Sequence, residues 1–183
     1  FFPKSQTKNI INTIESSDHG FVCIGKDRIT NIISNIILIK TDSLANKKWE
    51  KTINLGKRCI ASQIIETSDK GFLIAGTRST YGIKDSDPFV VKTDSAGNML
   101  WYRILGGIER DENMAAAINS QGEILIAYGY STYSDINYLY TTGKLNVTKL
   151  DSYGNTIWDK QFDKISRDYK VNKIRILPSN DFI

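Results

Sequence analysis

The sequence predicts an all-β protein made of tandem four-stranded antiparallel units of about fifty residues. Three observations carry that expectation. A ten-residue segment recurs, from Lys40-Thr41-Asp42-Ser43 to Trp49, from Lys92-Thr93-Asp94-Ser95 to Trp101, and from Lys149-Leu150-Asp151-Ser152 to Trp158, so that the tryptophans are separated by 52 and 57 residues. A second landmark keeps step with it: Ser17-Asp18-His19-Gly20-Phe21, Ser68-Asp69-Lys70-Gly71-Phe72, Ser120-Gln121-Gly122-Glu123-Ile124 and a degenerate Ser179-Asn180-Asp181-Phe182. Between the landmarks lie short runs of Ile, Val, Leu, Phe and Tyr bounded by Gly, Asn, Asp and Ser, which is the chemistry of strands and turns.

Taken in order, the runs give each unit four strands, A to D. Unit one supplies Asn9–Glu15, Gly20–Asp27, Asn35–Thr41 and Lys47–Asn54. Unit two supplies Ile60–Glu66, Gly71–Arg78, Pro88–Asp94 and Met99–Leu105, and unit three Asn113–Asn119, Gly122–Tyr130, Lys144–Asp151 and Thr156–Phe162. A fourth unit begins at Val171–Leu177 and reaches Ile183 inside its B strand. The A–B turn, Ser-Asp-x-Gly, and the C–D turn, Asp-Ser-x-Gly-Asn, each offer an Asx side chain and a glycine able to take positive φ, the ingredients of a tight hairpin. Unit one carries Ala45 at the C–D glycine position, which predicts a different turn there.

A four-stranded sheet repeated at this period cannot bury both faces until it stacks on its neighbours, so the expected architecture is a β-propeller. Continuous apolar B and C strands, such as Phe72-Leu73-Ile74-Ala75 and Phe89-Val90-Val91, suit sheets covered on both sides. No window sustains the i, i+3, i+4, i+7 stripe of a helical solenoid. The chain then reads as one propeller domain or fragment with blades at 9–54, 60–105, 113–162 and 171–183, about three and a half blades. Three blades and two strands do not close a ring of four to eight, so the remaining blades are expected in the same or another chain. The sequence starts at Phe1-Phe2-Pro3 without a Met, which fits a segment removed upstream.

These residues resemble the propeller repeats of secreted and lipid-anchored surface proteins of Bacteroidetes and related bacteria, in which Ser-Asp-Gly-Gly-Phe is followed by Lys-x-Asp-x-x-Gly-Asn-x-x-Trp. Unit two and its junction match best, from Ser68 through Trp101 to Gly106-Gly107 and Asp111. The pattern is also similar to the wider quinoprotein-like and WD40-like propeller repeat. The resemblance implies an extracytoplasmic, cell-surface or outer-membrane-associated module, without a transmembrane segment but with a lipid anchor as one means of attachment. It further implies an accessory role in an outer-membrane nutrient-uptake complex. Repeats of this kind serve unrelated activities, so the resemblance speaks to fold before function. The C–D hairpin is similar to the sialidase Asp-box, but Asp and Gly are here separated by two residues instead of one, so glycosidase activity does not follow.

Composition narrows the function classes. The 24 basic residues exceed the 20 acidic ones by only four and are scattered singly, which gives little electrostatic support for nucleic-acid binding. The longest apolar candidate, Ile32 to Ile39, is interrupted by Ser34 and Asn35 and is far shorter than a spanning helix. Cys23 and Cys59 lie at unlike places in the repeat and are expected to be free and at least partly buried. The single histidine, His19, sits in an A–B turn, which removes the main ingredient of a Ser-His-Asp triad, a multi-histidine zinc site or a 2-His-1-carboxylate iron site. There is no phosphate-binding glycine loop, and no cofactor or metal is expected.

Strand parity places the short, repetitive A–B and C–D turns at one end of each unit. The B–C loops (Asp27–Ser34, Ser79–Asp87, Ser131–Gly143) and the D–A connections (Leu55–Arg58, Gly106–Glu112, Asp163–Lys170) then share the other end, where length and sequence vary. Varied loops on a regular scaffold are where function concentrates. In the third B–C loop Tyr128, Tyr130, Tyr133, Tyr138 and Tyr140 cluster, and Tyr81 occupies the matching place in unit two. Exposed tyrosines suit sugar stacking or a protein hot spot, whereas alternating tyrosines also pack between blades, a reading that weighs slightly heavier. At the D–A connections Arg110 and Arg167 are candidate binding residues and Asp111 and Asp168 candidate ion or sugar ligands, although for the two aspartates a turn-fixing role weighs heavier. Asp42, Asp94 and Asp151 lack the closely spaced oxygens of a calcium loop and read as turn residues. The expected function is a non-catalytic binding or scaffold module contacting a protein partner or glycan through the B–C and D–A loops. The alternative is a propeller hydrolase or lyase acting on polysaccharide through paired loop carboxylates.

Overall fold

The computed structural model describes the backbone of residues 8–30, 33–79, 86–106, 110–133, 140–165, 171 and 173–183, with side chains throughout these except 110–113, 130–142 and 163–165. Within the described residues the protein is all-β and has no helix. Twelve strands follow in order: β1 (Lys8–Glu15), β2 (Phe21–Arg28), β3 (Ser34–Thr41), β4 (Lys47–Ile53), β5 (Arg58–Glu66), β6 (Phe72–Ser79), β7 (Ser86–Thr93), β8 (Met99–Ile104), β9 (Arg110–Ile118), β10 (Ile124–Tyr133), β11 (Tyr140–Leu150) and β12 (Thr156–Ile165).

Consecutive strands pair antiparallel in three runs, β1 to β4, β5 to β8 and β9 to β12. The runs are joined through single parallel residue pairs, Ser34 with Arg58 and Ser86 with Arg110, so the hydrogen-bonded path steps from β3 to β5 and from β7 to β9, leaving β4 and β8 on side branches. The first and second A strands, β1 and β5, share a register shift at matched places, between Ile10 and Asn12 and between Ala61 and Gln63.

Alternation along the strands decides where the core sits. In β6 Phe72 and Ile74 belong to a core shared with Val22, Ile24, Ile36 and Leu38 of the first run, while Leu73 and Ala75 belong to a second core with Ile124, Ile126 and Leu150 of the third. The second run is therefore apolar on both faces, which is why its B and C strands read as unbroken apolar stretches. A third core joins Ala115, Ala117 and Ala127 to Ile174, with Val171 and Phe182 packed against it. The segment after β12 thus covers the free side of the third run, and an isolated bridge between Ile176 and Phe182 closes its own hairpin.

Three local expectations are corrected. The third B–C loop is shorter than Ser131–Gly143, because β10 runs on to Tyr133 and β11 starts at Tyr140, with Tyr133 and Tyr140 paired directly. The β-forming Thr and Tyr residues at both mouths extend the ladder. By the same extension, β9 takes in Arg110, Asp111 and Glu112, where the sequence predicts a D–A connection. Ala45 does not change the C–D turn: its φ of 63° stands beside 77° at Gly97 and 83° at Gly154, and all three turns make the same two backbone bonds, for example Ala45 N to Asp42 O at 3.1 Å and Asp42 N to Asn46 O at 2.9 Å.

Candidate functional site

The two ends of the sheets are built differently. At the turn end each unit carries the same ionic clasp, set by a lysine on its C strand. Lys40 donates to Ser16 Oγ and Asp18 Oδ1. Lys92 reaches Asp69 Oδ1 at 3.0 Å, Asp69 Oδ2 at 2.8 Å and Thr93 O at 2.8 Å. Lys149 reaches Glu123 Oε2 at 2.8 Å. The lysines of the first two clasps are buried, so their chain crosses the sheet end and only the carboxylate meets water. The Lys40 bond is the main cause holding the Asp18 carboxyl well below the usual range. Burial raises Asp69, but the Lys92 and Thr67 bonds outweigh it and leave it at about 2.

The clasp also gives the A–B glycine a reason other than positive φ. In the A–B turns the left-handed residue is His19, Lys70, Gly122 or Asn180, one position earlier than the glycine of Ser-Asp-x-Gly. Gly71 is required for close approach instead: a Cβ there would lie 2.2 Å from Thr93 O and 2.5 Å from Lys92 Nζ. Unit three shows the compensation, with Gly122 in the left-handed place and the acid moved to Glu123, where Lys149 still finds it. The C–D turns are closed by their own Asp and Asn. Asp94 accepts from Asn98 N and Asn98 Nδ2, both at 2.8 Å, and Asp42 and Asp151 do the same with Asn46 and Asn155. Each oxygen of these carboxylates thereby accepts at least one bond from its own turn.

At the loop end the polar groups are buried and differ from unit to unit. Asp27 faces Asn35 across β2 and β3, and Arg78 faces Asp87 at the corresponding place across β6 and β7. Arg78 Nε and Asp87 Oδ2 form an ion pair at 3.3 Å that lacks hydrogen-bond alignment, and Lys57 Nζ lies 3.6 Å from the same oxygen. In unit one the basic residue opposite Asp27 is Lys8, on β1, whose ammonium bonds Glu50. Asp27, only 6% exposed, keeps Oδ1 without a hydrogen-bond donor among the described residues, and so does Asn35 Oδ1. Two buried acceptors side by side leave hydrogen-bonding capacity unused at this end of the first unit. Ser34 Oγ donates to Cys59 O at 2.9 Å beneath them, tying the start of β3 to β5. Cys59 and Cys23 are both free thiols, and burial pushes the Cys59 thiol up.

Of the candidate residues, Tyr81, Tyr138, Arg167 and Asp168 lie outside the described residues. The backbones of Arg110, Asp111, Tyr130, Tyr133 and Tyr140 belong to strands, with Asp111 paired to Tyr130 and Tyr133 to Tyr140; their side chains lie outside the described set. Tyr128, from the same run of tyrosines, is buried in the second core. His19 is an exposed turn residue with Nδ1 3.2 Å from Glu15 Oε1. Among the described residues no group of three potential metal ligands gathers, and no helix is long and apolar enough to cross a membrane. A groove of about 370 Å³ runs between Gln63, Ile65, Ala116–Ile118 and residues 173–176, along the A strands and away from the loop end. Sequence reasoning missed the clasp lysines and the Asp27–Asn35 pair; the lysines were inside the recurring segment, and their invariance against turn acids was the available signal. No protein-family model matches the chain, and no curated protein matches it.

Proposed function

We propose that the three antiparallel runs are successive blades of a β-propeller and that the chain is a non-catalytic, extracytoplasmic binding or scaffold module. Its partner is a protein or glycan engaged at the end where the B–C and D–A connections emerge. The observation that carries this reading is the contrast between the two ends. The turn end repeats one clasp and one Asp–Asn turn, each closed by bonds within its own unit, whereas the loop end varies and keeps acceptors at Asp27 and Asn35 unpaired among the described residues. Uniformity is what a scaffold needs, and variation with unspent polar capacity is what recognition needs.

A glycan array probed with the wild-type chain and with a Tyr133→Ala/Tyr138→Ala variant tests it. Retained glycans that the variant loses support the sugar form of the proposal. Absence of any glycan signal removes that form and leaves the protein partner. Release of reducing ends from the same polysaccharides would replace the binding reading with a hydrolytic one.

A further inference from the structure

Among the described residues each D strand pairs on one side only, β4 with β3, β8 with β7 and β12 with β11, and leaves its other edge free. Free edges invite further strands unless charge keeps them apart. β4 carries Lys47, Lys48, Glu50 and Lys51, and β12 carries Asp159, Lys160, Asp163 and Lys164, whereas β8 has Arg103 alone. β8 also belongs to the middle run, whose two faces already meet the first and third runs, so its outer edge is not a surface on which another repeat stacks. One side of the strand is the stripe of Trp101 and Arg103, turned to the third unit: Arg103 Nε donates to Gly154 O at 2.6 Å, and a Cβ on Gly154 would lie 2.9 Å from Trp101 Cε3, as one on Gly97 would lie 2.8 Å from Trp49. On the other side Ile104 packs against the first core, while Leu100 is 57% and Tyr102 47% exposed.

The backbone of this edge is equally specific. Leu105 N donates to Pro88 O at 2.9 Å, so by alternation Arg103 and Trp101 also turn their amide groups to β7, and the N–H and C=O of Tyr102 and Ile104 point to the free edge. We propose that β8 pairs antiparallel with β8 of a second copy of this chain, on a two-fold axis at Tyr102. The sequence is self-complementary in that register: Tyr102 meets the second copy's Tyr102, Ile104 meets its Leu100, and Trp101 meets its Arg103, so no like charges stand opposite each other. The other D strands lack this property. Trp49, Trp101 and Trp158 face Lys40, Lys92 and Lys149, which puts Glu50 and Asp159 at the place of Tyr102, and the same pairing would set acid against acid. The contact lies on the rim, apart from the loop end, and leaves the binding proposed there free to occur.

A single strand pair is a small interface of the weak, reversible class. Sedimentation velocity on the whole chain is therefore expected to show a monomer–dimer equilibrium, weakened at least about tenfold by Tyr102→Glu and kept by Tyr102→Phe. Glutamate already stands at the matching place in β4, and an unchanged far-UV CD spectrum checks that the variant folds. In the wild type, amide exchange at Tyr102 and Ile104 should slow as concentration rises while that of Arg103 stays constant, a readout that needs no variant. A monomer at every concentration overturns the proposal, and so does a dimer in which those two amides exchange at an unchanged rate. A monomer whose Tyr102 and Ile104 amides are protected by an added Thr-Val repeat peptide overturns the second copy as occupant and assigns the edge to a foreign strand.

Discussion

At the scale of single residues, two demands on glycine separate cleanly. Gly97 combines a φ of 77° with a tryptophan ring on its missing side chain, whereas Gly56 has the same φ and open space around it. Gly56→Ala should therefore cost only the left-handed penalty, about 1–2 kcal/mol, and Gly97→Ala about 2–4 kcal/mol once the displaced ring is added. Urea denaturation of the two variants checks the ordering, and equal losses would deny the Trp49 contact its role. Ala45→Gly, at the same turn position with a φ of 63° and an exposed side chain, should gain up to about 1 kcal/mol. This distinction was not legible in the sequence, where all the turn glycines look alike: the A–B glycine serves the lysine passing over it and the C–D glycine serves both a dihedral angle and a neighbour's ring.

At the scale of strands, neighbouring A strands are linked by side chains that imitate a ladder. Gln63 Nε2 donates to Ala116 O at 2.7 Å and Gln63 Oε1 accepts from Ala116 N at 3.0 Å, while Asn12 at the matching place donates to Ser62 O at 3.1 Å. A register shift beside each amide turns it out of its own strand toward the next. Gln63→Ala leaves both backbone groups of Ala116 without these partners and is expected to cost about 1–3 kcal/mol, read as faster hydrogen exchange in β9 than in β2. Strand positions themselves were readable because alternating apolar residues and Asx turns report period and punctuation directly. For unit two the expected C strand, Pro88–Asp94, and the found β7, Ser86–Thr93, differ by two residues at one end and one at the other. What the sequence hides is the partner of each polar side chain: Lys40, Lys92 and Lys149 recur as visibly as the tryptophans, yet their acids sit more than twenty residues away across a turn. The candidate loop tyrosines were flagged by composition alone, and composition carries no direction for a side chain.

At the scale of the whole molecule, the clasps add up to a dependence on acid. Asp18, Asp69 and Glu123 all have folded-state pKa values below their ordinary ones, so the unfolded chain binds more protons as pH falls. Their stabilisation is complete above roughly pH 5 and is lost as pH drops from about 4 toward 2. Urea midpoints measured across that range should fall steeply for the wild type. Asp69→Asn should start lower at pH 7 and fall less steeply, since one fewer carboxylate titrates; an unchanged slope would mean that Asp69 is not coupled to folding. Among the described residues every substantial packing between strands lies within one run or between adjacent runs, with none between β1–β4 and β9–β12. Such an assembly has nearest-neighbour energetics. A genetic duplication copying one fifty-residue stretch, with its Lys clasp, Asp–Asn turn and Trp stripe, would bring its own recognition code and require no compensating mutation in distant copies, so the number of copies can drift in evolution while each keeps its identity.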